Sequence, residues 1–226
     1  MNVLFLSLLY HPDAVNEVAA LSRTGLQNQA NGFQWAMIEG IINNLRPGET
    51  VSIINSLPVG IYPRKYGKLH LQSKAYGEEF VEIGSLNIPA FKQKQRERAA
   101  RWKIERWVEQ SPLNRVIVLY SLYLPYLRAA MSVKQRYSGL KVCVIVTDLP
   151  GSLGLASGRK GLSQAMEARM GKQSMRLASQ MDGFILLTEQ MAQPLSAAHK
   201  KRCVIEGMTS DQGVKPETFP LPPDTR

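Results

Sequence analysis

Two runs, "RVIVLY" at 115–120 and "KVCVIVT" at 141–147, are apolar at nearly every position, so a strand made of either must be covered on both faces. A layer flanked by helices provides that cover when its strands run parallel and each return crossing is helical. The rest of the chain keeps the matching rhythm. Strand-like runs at 2–8, 50–55, 79–83, 115–120, 141–147, 183–187 and 203–205 alternate with helix-like segments at 32–45, 92–110, 122–136, 162–180 and 189–198. The expectation is an α/β fold over residues 1–206: a doubly wound, mostly parallel, Rossmann-like sheet flanked by helices. Beyond it, "GMTSDQGVKPETFPLPPDTR" at 207–226 holds four prolines, few apolar residues and no helical period, the composition of an interdomain linker or trailing arm.

Composition narrows the function classes. Cys143 and Cys203 both sit in apolar runs and read as reduced core residues rather than a disulfide framework. His11, His70 and His199 show no metal-ligand spacing, so no metal is expected. The opening "MNVLFLSLLYHPD" lacks the basic start of a signal peptide, and no run approaches bilayer-spanning length, so a cytoplasmic protein is expected. A net charge of +10 favours phosphate-bearing or anionic-membrane partners. Nucleic acid is not expected, because the basic residues of 91–110 are interspersed with Glu97, Glu105 and Glu109 and no binding motif appears.

In a sheet of this kind ligands bind where the strand carboxyl ends open into a crevice. The run "VIVTDLPG" at 144–151 stops at that edge with Asp148, joined there by Tyr10 and His11, by Tyr120 and Ser121, and by Thr188 and Glu189. Asp148 either faces the crevice or steadies the turn before Pro150 and Gly151. His11 could bond a sugar hydroxyl or a phosphate, or be satisfied by its own loop. A long loop ends in Asn31 and Gly32 before the helix "GFQWAMIEGIINNL". This junction could hold a diphosphate on free helix N–H groups, or Asn31 could serve only as an N-cap.

The stretch 151–161, with Gly151, Arg159 and Lys160, reads either as a basic glycine-rich clamp for an anionic substrate or as a solvated loop. No G-x-G-x-x-G turn, P-loop or G-x-S-x-G elbow is present, which disfavours a nicotinamide dehydrogenase, an ATPase and a serine hydrolase. Winding 91–110 as a helix sets Ala100, Ile104, Trp107 and Val108 toward the sheet and Phe91, Arg98, Trp102 and Arg106 outward. That outward face suits an anionic membrane interface, or is a solvated basic face with Trp102 packed under a loop.

Taken in order, "NVLFLSLLYHPD", "ANGFQWAMIEGI", "VIVTDLPG", "MDGFILLTEQMAQPL" and "CVIEGM" resemble the amino-terminal half of GT-B glycosyltransferases, in particular the retaining glycosyltransferase family 4. The likeness runs through most of residues 1–208. It implies an acceptor-binding domain that needs a second, donor-binding domain absent from these residues, with no cofactor beyond the nucleotide-sugar substrate. By carry-over, Gly32 approaches the donor diphosphate, Asp148 faces the reacting sugar or acceptor hydroxyl, and 151–161 borders the acceptor. Asn31-Gly32 replaces the family's glycine pair. The implied acceptor is a glycan or a lipid-linked sugar of bacterial surface polysaccharide or glycolipid synthesis, and this half alone is expected to be inactive. The rival reading is a non-catalytic Rossmann-like binding or regulatory subunit with a basic face, and a sugar epimerase is a further enzyme rival.

Overall fold

The computed structural model describes residues 1–89, 91–111, 114–150, 162–195 and 200–205, the backbone alone at 162–164. An eight-stranded sheet runs through them. Its strands are β1 (Asn2–Ser7), β2 (Thr50–Asn55), β4 (Lys74–Tyr76), β5 (Phe80–Glu82), β7 (Arg115–Tyr120), β8 (Lys141–Val146), β9 (Gly183–Leu186) and β10 (Lys201–Val204). They lie in the order β10-β9-β8-β7-β1-β2-β5-β4, and every pairing is parallel except β4 with β5. A separate two-stranded ribbon pairs β3 (His70–Leu71) with β6 (Ser85–Leu86).

Helices α1 (Val15–Leu21), α2 (Asn28–Asn43), α3 (Phe91–Gln110), α4 (Leu124–Lys134) and α5 (Leu162–Ala178) complete the fold. One sheet face buries Leu4, Leu6, Ile117, Leu119, Val142, Val144 and Val146 against Ala100, Ile104 and Val108 of α3 and against α4 and α5. The other buries Val3, Phe5, Ile53 and Val118 against Ile38 of α2. Alternate residues of each central strand thus enter different cores, as a strand covered twice requires.

The α/β expectation holds, with local corrections. Helix α2 starts four residues before the expected position 32, and the supposed long loop before it contains α1 and a 3₁₀ turn at Pro12–Ala14. The segment 62–88 carries three short strands that no periodic pattern announced. The expected helix at 189–198 is a 3₁₀ turn at Glu189–Ala192, its remainder running partly outside the described residues, and the last strand begins at Lys201 rather than 203. Cys143 is half-buried, but Cys203 is exposed and not a core residue, because among the described residues the face it lies on has no helix over it.

Gly84 lies between β5 and β6, where a Cβ would come within 2.6 Å of the Leu71 carbonyl, so this close approach admits only glycine. Buried Asn55 joins three strands: it accepts from Ser7 Oγ at 3.0 Å and from the Leu9 N–H at 2.9 Å, and donates to the Leu9 carbonyl and to Glu82.

Candidate active site

The strand order reverses between β1 and β7: from β1 the chain moves to β2 on one side, then returns to place β7 on the other. The carboxyl ends of these two strands therefore part, opening the crevice in which such sheets bind ligands. The segment leaving β1 is held from above by α2. Gln34, fully buried, accepts from the Leu8 N–H and donates to the Leu8 carbonyl, both at 2.7 Å. Asn31 Oδ1 accepts from the Tyr10 N–H at 2.7 Å, and Trp35 Nε1 donates to the Tyr10 carbonyl at 3.3 Å.

These bonds revise the expectation for Asn31 and Gly32. Asn31 does not cap its own helix; its N–H already bonds the Gln27 carbonyl and its side chain fixes the first strand's exit. Gly32 is the fifth residue of α2 and exposed, with open space where a Cβ would sit. The orphan N–H groups of a helix belong to its first turn, so the diphosphate contact expected of Gly32 is not what this geometry supports.

On the other side of the crevice, β7 ends at Tyr120, and Ser121 turns the chain away in a left-handed conformation, φ 60°, while its N–H donates to Ile145 at 2.9 Å. A non-glycine residue held there is a backbone cost that surrounding structure must offset, and such positions cluster at functional sites. Tyr120 pairs with Ile145 across the β7–β8 ladder, so Thr147, two residues on, shares its face. Burial raises the Tyr120 pKa, the neighbouring Thr147 side chain opposes that shift, and the nearby Asp148 charge adds to it. Asp148 itself is exposed, and Phe33 of α2 comes within 6.2 Å of the Tyr120 ring.

The same rim thus gathers Tyr120, Ser121 and Asp148 from the expected set and adds Phe33 and Thr147, which sequence reasoning passed over; Tyr10 is instead buried in a separate cluster with Val18, Leu57 and Tyr66, its hydroxyl donating to the Pro58 carbonyl at 3.1 Å. The signal for Thr147 was present: it precedes Asp148 and continues the alternation of β8.

His11 is set to one side of these residues. Its ring stacks on Tyr76 at 3.7 Å and meets Phe80 edge-on at 5.0 Å, and its Nδ1 accepts from the Asp13 N–H at 3.3 Å. Burial lowers its pKa and Asp13 partly opposes that shift, so the neutral ring is favoured. Gly151, Arg159 and Lys160 lie outside the described residues. Phe91, Arg98, Trp102 and Arg106 all point outward from α3, with Phe91 58% and Trp102 52% exposed. Among the described residues no cluster of three or more His, Cys, Asp or Glu could hold a metal ion, and no helix is long and apolar enough to cross a membrane.

No protein-family model and no curated protein matches the chain. Among solved structures it is similar to the trehalose-6-phosphate synthase OtsA, at 9% identity and TM-score 0.45 over 87% of this chain and 43% of that one. It is also similar to a UDP-forming α,α-trehalose-phosphate synthase of Burkholderia xenovorans in complex with glucose-6-phosphate, at 6% identity and TM-score 0.42 over 87% and 43%. A third is the E. coli protein bound with UDP-2-fluoro glucose, at 8% identity and TM-score 0.41 over 87% and 42%. The chain spans less than half the length of each of these proteins.

Proposed function

We propose that this chain is the acceptor-binding half of a GT-B glycosyltransferase, moving a sugar from a nucleotide-sugar donor to a glycan or lipid-linked acceptor with retention, in the manner of family 4. The observation that carries this reading is the placement of Asp148 at the end of β8, beside the Tyr120–Thr147 pair on the rim of the β1–β7 crevice. Transfer from a phosphate leaving group passes through an oxocarbenium-like centre, and a fixed carboxylate in a shielded cleft stabilises positive charge developing there. In this reading Asp148 faces the reacting sugar or acceptor hydroxyl, while Tyr120 and Ser121 line the acceptor side. Gly151, Arg159 and Lys160 border it from the following loop.

A second domain, outside this sequence, supplies the donor pocket and the cations that receive the departing diphosphate. The bacterial surface polysaccharide or glycolipid role belongs to the same reading. So does a cytoplasmic location with a peripheral seat on the membrane, because the outward Phe91, Arg98, Trp102 and Arg106 would meet anionic headgroups when the acceptor is a lipid-linked sugar.

The test is Asp148→Asn, which preserves shape and removes charge, assayed in the assembled two-domain enzyme against a panel of labelled nucleotide-sugars. The expected result is a loss of turnover of roughly 100-fold or more. Turnover equal to that of the unaltered enzyme would leave Asp148 a turn residue and withdraw the assignment.

A further inference from the structure

The described residues hold a second opening, away from the β1–β7 crevice, where Leu57 follows β2, Glu82 ends β5 and Leu71 ends β3. It is a pocket of about 120 Å³ that Leu57 and Leu71 wall. Two buried polar side chains border it, Glu82 at 4% and Tyr66 at 2% exposure. Asn55 donates to Glu82 Oε2 at 3.2 Å, but Glu82 Oε1 has no hydrogen-bond partner among the described residues, and neither has the Tyr66 hydroxyl. Neither atom is sealed into the core, so both open onto the pocket. The cations that share the lining do not answer Glu82: Lys68 and Lys74 both bond Glu17, Lys74 at 3.1 Å.

A buried polar group without a partner has lost its water and gained nothing in exchange, and two of them on one small pocket mark a place shaped for a polar occupant. We propose that this pocket takes the hydroxyl-bearing edge of a single neutral sugar or polyol. One hydroxyl donates to Glu82 Oε1, a neighbouring one bonds the Tyr66 hydroxyl, and the carbon skeleton lies against Leu57 and Leu71. Burial, with the charges of Glu17 and Glu82, pushes the Tyr66 hydroxyl up to about 12, so it keeps its proton as a donor. Burial also raises the Glu82 pKa, with the Asn55 bond opposing, and a hydroxyl can pair with either form of that carboxyl. An ammonium ligand would meet Lys68 and Lys74 on entry, and an anion would meet Glu82 within. A cavity of about 150 Å³ admits one benzene ring, so this smaller pocket admits the edge of one sugar unit and no more. The pocket lies apart from Asp148, and its test does not depend on the transferase reading.

Saturation-transfer NMR on the full chain tests this with glucose, mannose, galactose, ribose and glycerol, and with glucosamine and gluconate as charged counterparts. At least one neutral compound is expected to bind saturably in the millimolar range, and Glu82→Gln and Tyr66→Phe are each expected to weaken it about tenfold. Tyr66→Phe removes only an unbonded hydroxyl, so its melting temperature should not fall and the comparison stands even if Glu82→Gln folds poorly. No saturable binding by any neutral compound would overturn the pocket, as would binding by the charged compounds alone. Equal affinity of the unaltered chain and Tyr66→Phe would also overturn it, and loss of that binding in Asp148→Asn would then seat the sugar in the crevice instead.

Discussion

Lys92 and Arg96 stand one turn apart on α3 and are 5% and 3% exposed, each donating to a main-chain carbonyl of the segment after β2: Lys92 Nζ to Val59, and Arg96 to Leu57 at 2.7 Å. Burial, helped by the Arg96 charge, lowers the Lys92 pKa to about 7 from its ordinary value of 10.5. Between these two values the unfolded chain holds a proton that the folded chain has released, so stability rises with pH across that window and the rise stops below it. Denaturant melts at pH 7, 8 and 9 should show the unaltered protein gaining about 2 kcal/mol relative to Lys92→Met. A parallel pH response of the two proteins would contradict the burial of an ionisable amine. At this scale the sequence was only partly legible. Asn31 looked like a helix cap because the type is right, but its partner is the Tyr10 N–H, 21 residues earlier, which no local signal encodes.

At the scale of elements, α3 is the part read most fully from sequence. The stripe of Ala100, Ile104 and Val108 is buried as the helical period demands, and the opposite stripe is open. Arg106 lies 5.0 Å and Lys103 5.5 Å from the centre of the Trp102 ring, so the indole is flanked by cations rather than tucked under a loop. Ile104→Ala should therefore cost about 2–5 kcal/mol in a denaturant titration, whereas Trp102→Ala should leave stability within about 0.5 kcal/mol.

The second substitution is then clean enough for the membrane test. Vesicles containing phosphatidylglycerol should carry the unaltered protein in flotation and lose the variant bearing Trp102→Ala with Arg98→Glu, while neutral vesicles carry neither. Equal flotation of both proteins would remove the membrane role. Helix α2 was read less well, because its start has no side-chain cap to announce it. Strands of two or three residues, such as β3 and β6, are too short to show any alternation at all.

For the whole molecule, the two-faced apolar strands were enough to foretell a parallel, helix-flanked sheet, since no other architecture hides such strands from water. They could not foretell that, among the described residues, the helices after β7 pack on one side and leave Cys203 exposed, because a strand's sequence records that it is apolar and not what covers it. The crevice was legible in outline: the rule about strand carboxyl ends located Tyr120, Ser121 and Asp148 on one rim. Its depth depends on what α2 presents to that rim, notably Phe33, and this follows from a helix start that the sequence misplaced.

The two borders of the sheet have different fates. On one side β4 runs against the grain of its neighbour and closes the series; on the other β10 is only four residues long, two of them Lys201 and Arg202. Among the described residues β10 is the outermost strand on that side, and charge on so short a border discourages another molecule from adding its own strand there, the usual guard against growth into fibrils.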